Sequence, residues 1–444
     1  SPTMPWMRRA GCGMAETGEY ALDILPGGLR VVTVEMPHLH RVEMGCYVGV
    51  GSRYETAKEA GISHFLEHAL FRGTEDYPSG VLLDEAFERV GGAANAWVDA
   101  EMTCVFSRLH PDCLDEAVSL FASLLRRPLL QQLDVERAII LEEALEDRNE
   151  QGDMICSVQL LAELCWPGHP LALPVVGTPE TIAALGRDDL LRHHAAFYTP
   201  GNTLVTVVGR VQREAVLRAV ERHFGDWPSG PSVPLPLPAV SEGTAACSSW
   251  VKNPDSQVEM RLGFVVPGRG TACGASLRLL RQLLVGGMTS RLMRRLREDL
   301  GLVYTVDAVV TQYADVGHFA VTAAVSPDKL VATLQETLDI LAQLCRSEVG
   351  AEELEHAARG LLFDLEFERD QAEDLAARYG WGLMAGDLKT IAVERREIAA
   401  ETPSSLLQAA CRFFTASNLR CVVVGPFQEK DRRRCEELLA SFAP

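Results

Sequence analysis

Stretches of this chain repeat each other at one fixed spacing. Val42-Glu43-Met44 recurs as Val258-Glu259-Met260, and Pro111-Asp112, opening a helical pattern, recurs as Pro327-Asp328. Tyr198-Thr199 is echoed by Phe414-Thr415, Asn202 by Asn418, and Val208-Gly209 by Val424-Gly425. Every pair lies 216 residues apart. Coincidence does not hold one offset at five separated places, so the chain contains two copies of one domain. A proline-rich stretch at 226–240, DWPSGPSVPLPLPAV, reads as the connection between them. The expected division is a first domain over 1–228, a linker over 229–242 and a second domain over 243–444.

Within each copy, β-branched runs such as LRVVTVEM, MGCYVGV and TLVTVVG have strand character. Between them lie helical patterns such as CLDEAVSLFASLL and AIILEEAL. Strands packed on helices within each repeat predict an α+β protein made of two homologous α/β sandwich domains. The length of 444 residues also exceeds one ordinary core.

The net charge of −19 argues against nucleic acid as a partner. Residues 1–230 carry 33 acidic and 19 basic side chains, the remainder 28 and 23, so the first half is the more acidic and suits cationic substrates. No apolar run reaches the roughly 18 residues of a membrane span. The first twenty residues hold no apolar signal core, which predicts no secretory signal. The twelve cysteines are scattered without a Cys-x-x-Cys pair, several of them in apolar runs (Cys46, Cys104, Cys421). Buried free thiols are the expectation, and with them a reducing, cytoplasmic location.

Residues 61–73, GISHFLEHALFRG, contain His64-x-x-Glu67-His68. On a helix, positions 64, 67 and 68 share one face, and Ile62, Phe65, Leu66, Ala69 and Leu70 lie opposite. Two imidazoles one turn apart can grip one zinc ion, with Glu67 placed to take a proton from water. The pattern matches the inverzincin signature. An isolated match of five residues is more often a solvated helix face, but the repeat offers a control. At the same offset, positions 280–284 read LRQLL, and Glu143 becomes Arg359. One copy keeps the polar set and the other loses all of it.

A third ligand is sought downstream. Residues 133–150, LDVERAIILEEALEDRNE, read as a helix on which Glu136 and Glu143 stand two turns apart. Glu142, Glu143 and Glu146 are all chemically able to complete a three-ligand site. The remaining histidines, among them His193, His194 and His318, have no ligand-like partners in sequence and are expected to be surface or structural.

From about Tyr20 to the C-terminus the chain resembles the pitrilysin-type zinc metallopeptidases, which include the mitochondrial processing peptidase and insulin-degrading enzyme. The short bacterial members are most similar. The resemblance rests on GSRYETAKEAGISHFLEHALFRGTEDYPSG at 51–80, GGAANAW at 91–97, VVGTPETI at 175–182 and YTPGNTLVTVVG at 198–209. It implies one zinc per chain held by His64, His68 and Glu143, with Glu67 as general base and Glu136 orienting a ligand. It implies that Asn95 and Ala96 touch the backbone of a peptide added along a sheet edge. Val98 departs from the threonine common there. In TSRLMRRLREDLGLVYTV at 289–306, Arg297 and Tyr304 match a pair that meets the substrate near the metal. The first domain is then catalytic and the second carries that pair. The resemblance further implies an endopeptidase acting on peptides or unfolded segments in a chamber between subunits, as a homodimer or with a different partner. Its alternative is a non-catalytic scaffold subunit.

Overall fold

Apolar β-branched runs become strands where both their faces are covered, and here they do so twice. The computed structural model describes residues 18–239 and 246–444. Most of the N-terminal stretch read for a targeting signal, and the end of the linker, lie outside the described residues. Six strands form the first sheet: β1 (Ala21–Ile24), β2 (Arg30–Glu35), β3 (Val42–Val48), β4 (Asn95–Val98), β5 (Thr103–Leu109) and β6 (Thr203–Gly209), in the order β1-β2-β6-β3-β5-β4. Five form the second: β7 (Cys247–Lys252), β8 (Val258–Pro267), β9 (Val303–Gln312), β10 (Val316–Val325) and β11 (Leu419–Gly425), in the order β7-β11-β8-β10-β9. The runs named from the sequence lie in β2, β3 and β6.

The helices of the first copy are α1 (Ile62–Leu70), α2 (Gly80–Val90), α3 (Leu114–Arg126), α4 (Leu133–Glu146), α5 (Ser157–Cys165), α6 (Pro179–Ala184), α7 (Arg187–Phe197) and α8 (Arg213–Phe224). Those of the second are α9 (Gly274–Val285), α10 (Leu330–Arg346), α11 (Ala351–Phe367), α12 (Ala372–Met384), α13 (Ile391–Ala400), α14 (Pro403–Phe413) and α15 (Glu429–Ala440).

The duplication extends to strand register. Val42 pairs with Leu109 on β5, and Val258 pairs with Val325 on β10. Glu43 pairs with Val208, and Glu259 with Val424. β2 runs parallel to β6 as β7 does to β11. The first two pairings recur at the 216 spacing, whereas β7 sits one residue out of it on β11, and among the described residues the second sheet has no counterpart of β1.

The two compact units are not continuous along the chain. One contains the described residues up to Leu145, then Leu173–Leu237 and Glu368–Leu388; the other contains Glu146–Ala172, Pro238–Phe367 and Lys389–Pro444. Each copy therefore lends a helix to the other's unit. α12 packs on β3 and β6, and α5 packs on β8 and β11. The two helices sit at equivalent places in the repeat. In the first unit the core proper fills the opposite face of the sheet, where Met44 and Cys46 meet Phe65 of α1 and Phe121 of α3. With both faces covered, β3 and β6 are buried along their whole length, which is why they read as unbroken apolar runs.

Side-chain size matches each lent helix to its sheet. On β3, Tyr47 projects toward α12 and its hydroxyl donates to the Ala376 carbonyl at 3.3 Å. Gly380 leaves the room, because a Cβ there would lie 2.2 Å from the Tyr47 ring. In the second unit the equivalent of Tyr47 is Gly263, and Leu161 of α5 fills the space; a Cβ on Gly263 would lie 2.4 Å from it. A large residue on the sheet faces a small one on the helix in one unit, and the reverse holds in the other.

The stretch after the glycine turn at 91–92 forms a hairpin of β4 and β5. Asp99 explains the turn: its carboxylate accepts the N–H groups of Glu101 at 2.7 Å and Met102 at 2.8 Å. Among the described residues no helix is long and apolar enough to cross a membrane, and the eleven described cysteines are free.

In an open helix interior, Gly380→Ala would gain about 1 kcal/mol of helix propensity. Here the added methyl enters the Tyr47 ring and Thr206, an overpacking worth about 1–3 kcal/mol. Denaturant unfolding is expected to find Gly380→Ala less stable than wild type, by up to about 2 kcal/mol. A stabilised variant would show that α12 does not dock on β3 in this way.

Candidate active site

α1 starts at a point of the backbone that glycine alone accommodates without strain. Gly61 has φ +89°, and a Cβ on it would lie 2.6 Å from the Val176 carbonyl oxygen. The helix then begins on a buried carboxylate. Glu55 accepts the N–H groups of Gly61 at 2.7 Å and Ser63 at 2.9 Å. The Ser63 hydroxyl meets Nε2 of His193, a buried residue of α7, at 3.1 Å. Phe65, Leu66, Ala69 and Leu70 are fully buried against the core. That burial turns His64, Glu67 and His68 to the other, half-open face.

α4 lies alongside through two adjacent residues. The Arg137 guanidinium sits over the Phe65 ring at 5.2 Å and donates to the Leu185 carbonyl at 2.8 Å. Glu136 is buried, 3% exposed, and joins two groups of the α1 segment. One oxygen accepts from Nδ1 of His68 at 2.8 Å and the other is ion-paired with Arg72. A proton held on Nδ1 leaves the Nε2 lone pair of His68 free.

One turn-pair further along α4, Glu143 Oε2 lies 3.6 Å from His64 Nε2 and 3.7 Å from His68 Nε2. Glu142 and Glu146 are exposed. The ligand atoms of His64, Glu67 and His68 fall within 4.8 Å of one another. Burial, with His68 adding to it, lowers the pKa of His64 to about 4, so its imidazole is neutral at ordinary pH. Two imidazole lone pairs and a carboxylate oxygen thus face one another beyond hydrogen-bonding distance. Such acceptors repel unless a cation lies among them. Ligand atoms around a tetrahedral zinc stand about 3.4 Å apart, given its bond lengths of about 2.0–2.1 Å. The donor set fits that ion. The Glu67 carboxyl is pushed up to about 7, mainly by burial and further by Glu143, while His68 opposes the shift.

The burial pattern of α1 recurs along α9, but two residues out of the 216 spacing. Arg278, Arg281 and Gln282 are half-buried where His64, Glu67 and His68 are, while Leu280, Leu283 and Leu284 are buried like Leu66, Ala69 and Leu70. The second copy therefore has neither candidate histidine ligand nor the base on this face, and the alignment of 64–68 with 280–284 expected from the offset does not hold in the structure.

β4 is the edge strand of the first sheet and packs beside α1. It pairs with β5 on one side, with Asn95 opposite Phe106 and Ala96 opposite Val105. Among the described residues no strand lies on its other side. Asn95 is exposed and Ala96 half-buried. Arg297 and Tyr304 belong to the second unit. Arg297 is exposed, with Glu298 as its carboxylate neighbour at 3.8 Å, and Tyr304 is 75% exposed. Both are presented to solvent within their own unit. Sequence reasoning missed Arg72, Glu55 and the Ser63–His193 contact. Arg72 and Ser63 stand within the 51–80 motif, but their partners Glu136 and His193 are distant in sequence, so no spacing reports them; Glu55 bonds locally, to main-chain groups that carry no residue signature.

Residues 30–178 match the family model described as Insulinase (Peptidase family M16), and residues 184–361 match the Peptidase M16 inactive domain. An uncharacterized zinc protease of Mycobacterium bovis is 31% identical over 414 residues, covering 91% of this chain and 93% of that one. The uncharacterized zinc protease YmxG of Bacillus subtilis is 30% identical over 371 residues, covering 82% and 88%. Among solved structures, a protease from Helicobacter pylori superposes with a TM-score of 0.85 at 23% identity, covering 92% of this chain and 99% of that one. A chain of Complex III2 from Candida albicans has the same fold, with a TM-score of 0.77 at 17% identity, covering 94% and 99%.

The cap of α1 gives a pH test. Burial holds the Glu55 pKa at about 7, above its ordinary value of 4.5, even against its two N–H partners. The folded chain then binds this proton more tightly than the unfolded chain, so stability falls as pH rises from about 4.5 to 7. Relative to Glu55→Gln, wild type should lose up to about 3 kcal/mol across that window. Unfolding curves of the two proteins that run parallel from pH 4.5 to 8 would show that Glu55 stays ionised.

Proposed function

This chain belongs to peptidase family M16, the insulinase family, and on that premise we propose that it is a zinc-dependent endopeptidase. The observation that carries the reading is that Glu143 Oε2 lies 3.6 Å from His64 Nε2 and 3.7 Å from His68 Nε2. These three groups hold the metal, one ion per chain. Zinc, when bound, supplies the Lewis acidity that polarises a peptide carbonyl and brings the pKa of the attacking water toward about 7.

Glu67 accepts the proton of the attacking water and delivers it to the leaving amine. Glu136 holds the proton on His68 Nδ1, so that Nε2 presents its lone pair. The free edge of β4 takes the peptide as an added strand, with Asn95 and Ala96 against its backbone. Strand addition reads backbone more than side chains, which favours extended or unfolded substrates over folded ones.

Arg297 and Tyr304 hold the scissile carbonyl and stabilise the oxyanion. By correspondence with the family's long single-chain members, they come from the second subunit of a homodimer.

Glu67→Gln should lower peptide hydrolysis by about 10²–10⁴-fold while keeping stoichiometric zinc, measured by a quenched-peptide assay beside elemental analysis. Loss of zinc in that variant would mean that Glu67 is a ligand. His64→Ala, His68→Ala and Glu143→Gln should lose zinc, whereas Glu142→Gln should keep it. Complementation tests the source of the second pair. Glu67→Gln and Arg297→Ala, each poorly active alone, should regain activity on mixing when subunits exchange, because one site of the heterodimer is complete. No rescue, with exchange verified by a mass tag, would reject supply of Arg297 by the second subunit.

A further inference from the structure

Away from the metal face, two cysteines stand together on packed helices. Cys345 is the penultimate residue of α10, and Cys411 lies near the end of α14. The Cys411 thiol donates to the Cys345 carbonyl oxygen at 3.0 Å. The Cys345 thiol faces the Phe414 carbonyl at 3.9 Å. Among the described cysteines Cys411 is the exposed one, while Cys345 is half-buried behind it. The equivalents in the first copy are Leu129 and Ala195, so the repeat does not require thiols here.

We propose that Cys345 and Cys411 form an oxidisable dithiol, a modification site that takes hydrogen peroxide and closes to a disulfide joining α10 to α14. The exposed partner reacts first. The Cys411 thiolate attacks one peroxide oxygen, the O–O bond breaks, and the departing oxygen takes a proton and leaves as water, giving a sulfenic acid. Cys345 sulfur then attacks Cys411 sulfur, the S–O bond breaks, and a second water leaves. Two thiols and one peroxide become one disulfide and two waters; the two electrons lost by sulfur reduce the peroxide.

The order of the two steps follows from exposure. Burial and the neighbouring Cys411 push the Cys345 thiol up to about 12, so little of it is thiolate at neutral pH. Closure therefore speeds up as pH rises.

The test uses the whole zinc-loaded protein. It is treated with one equivalent of hydrogen peroxide, quenched in acid, alkylated and mapped by mass spectrometry. The expected product is a cross-linked peptide pair containing Cys345 and Cys411, two mass units lighter than the reduced pair and restored by dithiothreitol. A dimedone adduct on Cys411 should form at pH 7 and decline as pH is raised. Cys411→Ser should abolish the cross-link and leave Cys345 alkylatable, with zinc content and circular dichroism unchanged. Cys345→Ser should leave Cys411 sulfenic acid unresolved, with a larger dimedone yield. Cys411 advancing to sulfinic acid in wild type while Cys345 remains free would overturn the proposal. So would a cross-link from Cys411 to any other cysteine.

Discussion

A buried carboxylate, Glu136, joins the two helices on which the candidate site is built. It accepts from His68 and is ion-paired with Arg72, one oxygen for each. A carboxylate at 3% exposure is costly unless its charge and lone pairs are matched, and both are matched here. The same bonds fix the distance between α1 and α4 and turn His68 so that its second nitrogen meets Glu143. Glu143, two turns along α4, follows from helix geometry once Glu136 is anchored. Removing the Glu136 charge would leave Arg72 unpaired at the rim of the site and free the His68 ring to rotate.

Duplication supplied the scaffold, and divergence placed the candidate site in one half of it. The strands common to both copies keep one order, and each sheet is covered on one face by a helix lent by the other copy. Tyr47 with Gly380, and Gly263 with Leu161, show that the lending is written in side-chain volume. Against that shared background the second copy presents Arg278, Arg281 and Gln282 where the first presents His64, Glu67 and His68.

Much of this was legible in the sequence, for identifiable reasons. Local signals carry local structure: the β-branched runs became β2, β3 and β6, and the helical spacing of 64, 67 and 68 put them on one face. The repeat offset carried the topology, because equal spacing means equal folding. Volume complementarity across distant segments was not legible. Nothing near residues 157–165 or 372–384 says that these helices pack on the other copy's sheet. The choice of Glu143 over Glu142 and Glu146 rested on family resemblance, since all three share the needed chemistry. In the structure it is Glu143 that faces both imidazoles. Asp99 closes its turn through two side-chain hydrogen bonds that a strand pattern does not report.

The identity of the atoms around the metal is the most direct thing to measure. X-ray absorption at the zinc edge of the reconstituted protein should show two imidazole nitrogens and oxygen ligands at about 2.0–2.1 Å, with no sulfur. The spectrum should change on substitution of Glu143 and not of Glu142. Scattering from sulfur at about 2.3 Å, or a spectrum indifferent to Glu143, would contradict a site made of His64, His68 and Glu143.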